Sequence, residues 1–218
     1  MNASDPLLIV VLLIAVALLP FLALLVTSFT KIVVVLGLLR QALGLPQVPP
    51  NMVTNALAII LSLYVMAPIG MQAATALKEK LPGSVATLSF NDFAVIYQSI
   101  STPLRGFLQK HTTERDRAFF VRSAGKLWPP EQARTLEDDH MLVLVPSFTL
   151  RELTEAFQIG FVLYLAFVVI DLIVGNILLS LGMMMLSPTV VSTPFKLLLF
   201  VALDGWERLV QGLVLSYR

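Results

Sequence analysis

Four stretches of this chain are apolar for about 20 residues each, the length of helix that crosses a hydrocarbon core of roughly 30 Å. They run over 6–29, 52–77, 159–186 and 189–203, the last extending to 217. Inside lipid a backbone must satisfy its own hydrogen bonds, so such segments can only be helices or a closed barrel, and runs this long are helices. The chain as a whole agrees. It is 57% hydrophobic and 13% charged, with a mean hydropathy of +0.84, about half the charge of an ordinary soluble domain. The expected fold is all-α: a multi-helix membrane protein of two helical hairpins and a small helical periplasmic domain. The expected boundaries are 1–77 for an N-terminal apolar hairpin, 78–158 for a mixed-charge domain and 159–218 for a C-terminal apolar hairpin.

Charge places these pieces and removes whole classes of function. The net charge of +1 comes without a long basic run, which leaves nothing for a nucleic-acid backbone to bind. There is no cysteine, hence no disulfide framework and no thiolate chemistry. Ala15, Val16 and Ala17 imitate a signal-peptide cleavage site, but no cationic side chain precedes them and the apolar run continues beyond, so a retained anchor is expected. Lys31 and Arg40 lie in the first connection and only Asp5 lies at the N-terminus, so the positive-inside rule puts the N-terminus, the segment 78–158 and the C-terminus outside. In a bacterium that side is the periplasm.

Local signals divide the chain further. The first hairpin closes through Gly44 to Pro50, which holds one glycine and three prolines and cannot continue a helix. Pro20 and Pro68 lie within the first two spans and should kink them. Segment 78–158 holds ten basic and ten acidic residues, the balance of an aqueous domain. Ser89 to Asp92 reads as a capped helix start, followed by Phe93, Tyr97, Ile100, Leu104 and Phe107 on one apolar face. A second helix is expected over 113–126, stopped by Trp128, Pro129 and Pro130, with Arg115, Asp116, Arg117 and Arg122 on a solvated or partner-facing side. Thr149 to Glu152 forms another capping box, which predicts a helix from there to Leu186 with Glu152 and Glu155 in its first turns, where the helix dipole favours carboxylates.

Catalytic signatures are missing: no phosphate-cradling loop, no His-Glu-x-x-His and no Gly-x-Ser-x-Gly. His111 and His140 have no second ligand at a useful spacing and are expected at the surface, so neither a metal, a cofactor nor an enzyme is implied. The informative residues are polar ones within apolar runs: Asp171, Asn176, Lys196 and Lys31. A charge at mid-membrane costs at least about 2.5 kcal/mol and faces a partner or a watery space. Asp171, Gly175, Leu178, Gly182 and Met185 share one near-heptad face, and its glycines invite close helix approach. Two readings stand for the charges, a packing pair or a proton or ion site. With the hairpin turn at Ser187, Pro188 and Pro194 and centred near position 190, Asp171 and Lys196 are offset by roughly 20 Å. Pairing would then require neighbouring copies. Met183, Met184 and Met185 sit near that turn; as consecutive helical residues they sweep roughly 200° of the helix, and their flexible apolar side chains suit an adaptable seal or ordinary gap filling.

The run from Val143 to Phe161 resembles the signature of the FliP/SctR family (also YscR, HrcR or SpaP) of type III secretion export-apparatus proteins. So do Ile170 to Val174, Met183 to Pro188, Pro194 to Phe200 and Asp204 to Trp206, and the similarity spans essentially the whole chain. Ala166 departs from the proline that many members carry before the phenylalanine here numbered 167, which implies a straighter third span. The short chain is similar to the injectisome branch. The resemblance implies a structural, pore-forming subunit of the export gate in the bacterial inner membrane, with much of the assembly on the periplasmic side. It implies a homo-oligomer of about five copies in an open helical arrangement, joined by SctS-type and SctT-type subunits and passing unfolded secreted proteins. It also implies that Met183, Met184 and Met185 form the pore gasket, and that the four apolar runs need not all be conventional lipid-facing helices. The alternative is a proton-coupled transporter subunit using Asp171 and Lys196.

Overall fold

The computed structural model describes residues 6–80 and 90–218, and all regular structure among them is helical. Nine helices follow in order: α1 (Pro6–Val26), α2 (Phe29–Ala42), α3 (Asn51–Lys80), α4 (Phe90–Lys110), α5 (Glu114–Leu127), α6 (Pro130–Arg134), α7 (Met141–Ser180), α8 (Pro188–Ala202) and α9 (Gly205–Leu215). α3 and α7 are long and apolar enough to cross a membrane, and most of their apolar surface faces outward rather than into a core. At 1.5 Å per residue α7 is about 60 Å long, twice a hydrocarbon core, so part of it must project beyond one. The chain is a multi-helix membrane protein.

Several sequence expectations change here. The connection expected after the first apolar run is mostly a helix of its own: α1 stops at Val26, and α2 restarts at Phe29. Thr27 Oγ1 donates to Ala23 O at 2.8 Å, a back-bond of the kind that bends a helix without glycine or proline. α7 begins at Met141, not at Thr149, and carries Pro146 in its interior. Two hydroxyls flank that proline with back-bonds, Ser147 Oγ to Val143 O (2.6 Å) and Thr149 Oγ1 to Val145 O (2.9 Å). The N-terminal end of α7 is instead capped by His140, whose Nδ1 accepts from Leu142 N (3.2 Å). The fourth apolar run is not one span. α8 covers 15 residues, about 22 Å, and the chain breaks at Asp204, which takes a left-handed conformation (φ 51°) before α9.

The chain forms two compact units, one of Met1–Ser28 with Met66–Arg151 and one of Phe29–Val65 with Glu152–Arg218. The boundaries at 77/78 and 158/159 therefore fall inside α3 and α7. In the first unit α5 starts at a capping box in which Thr113 and Asp116 bond reciprocally, and it stops before Trp128, as its sequence predicts. Ser89 lies outside the described residues, as does the Phe93 side chain; on the rest of the expected α4 face Phe107 is buried against Phe148 (ring centroids 5.5 Å), while Tyr97 and Ile100 are exposed. Arg105–Asp139 and Arg117–Asp138 pairs, each at 3.3 Å, join α4 and α5 to the turn before α7.

In the second unit α2 is the centre. Its Ile32, Val35, Leu36 and Leu39 are fully buried, packing on Ala58 of α3, Ala156 and Phe167 of α7, Phe200 of α8 and Leu213 of α9. Close approach of α2 to α7 needs Gly160, because a Cβ there would collide with the Leu38 side chain.

Candidate functional site

The C-terminal hairpin of the second unit turns earlier than its prolines suggest. Gly182, with φ 73°, ends α7 in a Schellman motif: Met183 N donates to Leu178 O (2.9 Å) and Gly182 N to Leu179 O (3.0 Å). Leu178, the buried partner of this cap, anchors it. Ser187 is the residue before α8, Pro188 occupies its first turn, and Pro194 lies inside the helix rather than in the turn. The turn is therefore 181–187, and Gly182 serves as its hinge rather than as a helix-packing residue. Met183, Met184 and Met185 are not helical. They form the loop itself, and their exposure rises along it: 44%, 81% and 101%.

That shift also overturns the expectation that Asp171 and Lys196 cannot meet within one hairpin. Asp171 lies nine residues before Ser180, and Lys196 eight residues after Pro188. At 1.5 Å per residue both are about 12 to 14 Å from the turn. Lys196 Nζ donates to Asp171 Oδ2 at 2.6 Å and to Ala42 O at 3.1 Å, while Ser192 Oγ donates to Asp171 Oδ1. Lys196 is 2% exposed and Asp171 30%. Ala42 ends α2, where Gly44 (φ 78°) forms a second Schellman motif that satisfies the Arg40 and Gln41 carbonyls. The ammonium takes the carbonyl that this cap leaves, at the negative end of the helix dipole. One lysine thus joins α2, α7 and α8. Gly175 faces Pro188, the nearest approach of a Cβ there being 3.8 Å, but Asn176 is exposed and does not join the pair.

A second buried charge centre was only half visible in the sequence. Lys31 Nζ lies 2.9 Å from Glu152 Oε1 and 2.8 Å from Glu155 Oε2, and 4.2 Å above the centre of the Tyr217 ring. The Tyr217 hydroxyl donates to Glu152 Oε2. Lys31 and Glu152 are each 1% exposed. Glu152 is the twelfth residue of α7, far from the helix start, so its partner is this lysine and not the dipole. The signal that could have found the pair is the spacing of Glu152 and Glu155, which puts two carboxylates on one helix face just before the third apolar run.

No metal-binding group of three or more His, Asp or Glu is found among the described residues, and each buried charge is spent on a neighbour. His111 is partly buried against Phe107, with ring centroids 4.7 Å apart.

The FliP family model matches residues 12–213. The chain belongs to the FliP family. Among curated relatives it is similar to the pathogenicity-related ORF2 of Xanthomonas campestris pv. glycines, 55% identical over 211 residues covering 97% of this chain and 96% of that one. The hypersensitivity response secretion protein HrcR of Ralstonia nicotianae is 54% identical over 209 residues, with 96% of each chain covered. The Yop proteins translocation protein R of Yersinia pestis is 50% identical over 200 residues, covering 92% and 91%. Membership extends across both buried charge centres except Tyr217 and includes the methionine loop.

Proposed function

We propose that this chain is a structural, pore-forming subunit of the export gate of a type III secretion system, conducting unfolded proteins across the bacterial inner membrane. The observation that carries this is the hairpin tip. Three consecutive methionines stand exposed on a short loop that a glycine cap closes on one side and a Ser-Pro helix start on the other. In several copies, about five by likeness to the family and arranged with SctS-type and SctT-type subunits, such loops converge to form a ring. Unbranched thioether side chains fill an irregular opening when nothing passes and yield to a chain of any sequence. The secretion and translocation roles in the names of the relatives support the same reading.

The proton-transporter reading requires Asp171 to exchange protons. Both its carboxylate oxygens are already engaged, one by Lys196 and one by Ser192, which supports packing over relay. The test of the conduit is direct contact. A photo-crosslinking residue at position 184 should capture an exported protein stalled partway, and the same residue at exposed Met52 should not. Capture at 52 but not at 184 would reject the conduit.

A further inference from the structure

The second unit contains a cavity of about 490 Å³ between α7, α8 and α9, within the range of small-molecule sites, about 300 to 1,000 Å³. Its wall is apolar apart from Arg208. Two features of α9 shape it. Gly205, Arg208 and Gly212 recur at spacings of three and four and so share one face. Gly205 is needed, because a Cβ there would collide with the Phe200 ring. Gly212 has no such reason: a Cβ at that position meets nothing within 4 Å, and a helix-interior glycine costs about 1 kcal/mol relative to alanine. The helix keeps an open volume that an ordinary side chain would fill.

The cation at this cavity also lacks a counterion. Arg208 is exposed and makes no ion pair among the described residues. It stands where the apolar α8 ends, beside Trp206, which packs edge-on against Phe200 (5.6 Å), the aromatic and basic pairing typical of a membrane-water interface. We propose that the cavity holds an acyl chain of an anionic phospholipid whose phosphate is bound by Arg208. A second copy of this chain would fit less well. Its outward apolar helices offer the arginine no free carboxylate: α8 has none, α3 has only Glu79 in its last turn, and on α7 Glu152 and Glu155 are paired with Lys31 and Asp171 with Lys196. A lipid supplies both the apolar chain and the charge, as in other basic pockets between membrane helices.

The proposal needs the chain to lie in a bilayer but not to export anything. Its test is native mass spectrometry of the full chain taken from nanodiscs of equal phosphatidylglycerol and phosphatidylcholine. Wild type should retain phosphatidylglycerol about fivefold over phosphatidylcholine, the selectivity expected for one basic side chain near lipid phosphate. Arg208→Gln, a surface change that leaves the fold intact, should abolish that preference, and Gly212→Phe should reduce retention of both lipids. Equal retention of the two lipids by wild type, or an unchanged preference in Arg208→Gln, would overturn the proposal. So would a Gly212→Phe protein that keeps its lipid but loses its oligomeric state, since the cavity would then be a subunit interface.

Discussion

Two regions of the same hairpin treat water in opposite ways. Midway along it Lys196 is almost wholly buried, and its ammonium is bonded to a carboxylate and to a helix-terminal carbonyl. At its tip Met184 and Met185 stand out of the chain with Leu181 and Val190 exposed beside them. A chain stable by itself in water would put the charges outside and the apolar residues inside. The reversal teaches that the hairpin is internally cross-linked at its middle and incomplete at its end. The charges hold α2, α7 and α8 in fixed register, and the tip leaves its apolar side chains uncovered.

The comparison breaks first at the charge. Lys196→Met leaves the Asp171 carboxylate without its cation, and the expected cost is about 3 kcal/mol, near the low end for a broken buried pair because Asp171 keeps some solvent. Thermal unfolding of the purified protein in detergent measures it. Adding Asp171→Leu should recover most of the loss, and equal losses in the single and double variants would deny the coupling. Charge reversal, Asp171→Lys with Lys196→Asp, should likewise fold better than either single change, within one chain and without assembly.

Next in size is Gly160→Ala, where the new methyl group meets Leu38 and pushes α2 from α7; about 1 to 3 kcal/mol should be lost in the same assay. Tyr217→Phe is smaller. It removes the hydroxyl bond to Glu152 but keeps the ring under Lys31, so about 1 kcal/mol is expected. Smallest in stability is the tip. Replacing Met183, Met184 and Met185 together by serine should change unfolding by no more than about 0.5 kcal/mol, because these side chains are exposed and leave no cavity.

Helical class and punctuation were legible in the sequence, and the registers that follow from them were not. Gly44 to Pro50 does interrupt the chain between α2 and α3, and the helix expected over 113–126 does form as α5 and stop before Trp128. Local signals misled twice: the Thr149 to Glu152 capping box suggested a helix start where α7 is already under way, and Pro188 and Pro194 suggested a turn where a helix begins and runs on. In the first turn of a helix proline forfeits no hydrogen bond, so Ser187-Pro188 signals a start. The true stop was Gly182, which looked like a packing glycine because it also fell on the face shared by Asp171 and Leu178. Moving the turn by about six residues brought Asp171 and Lys196 level and took the methionines off the helix. The Lys31 centre was less legible still, since Lys31 lies more than a hundred residues from its carboxylates, Tyr217 lies 65 from Glu152, and only the Glu152 and Glu155 spacing hints locally at a buried partner.

The reading of the tip as a seal rests on what the methionines do in the assembled complex, and ion conductance across the membrane measures that. In membranes containing the assembled complex, the triple serine variant should leak ions well above wild type while the complex remains intact. Conductance at the wild-type level in an intact complex would contradict a methionine seal.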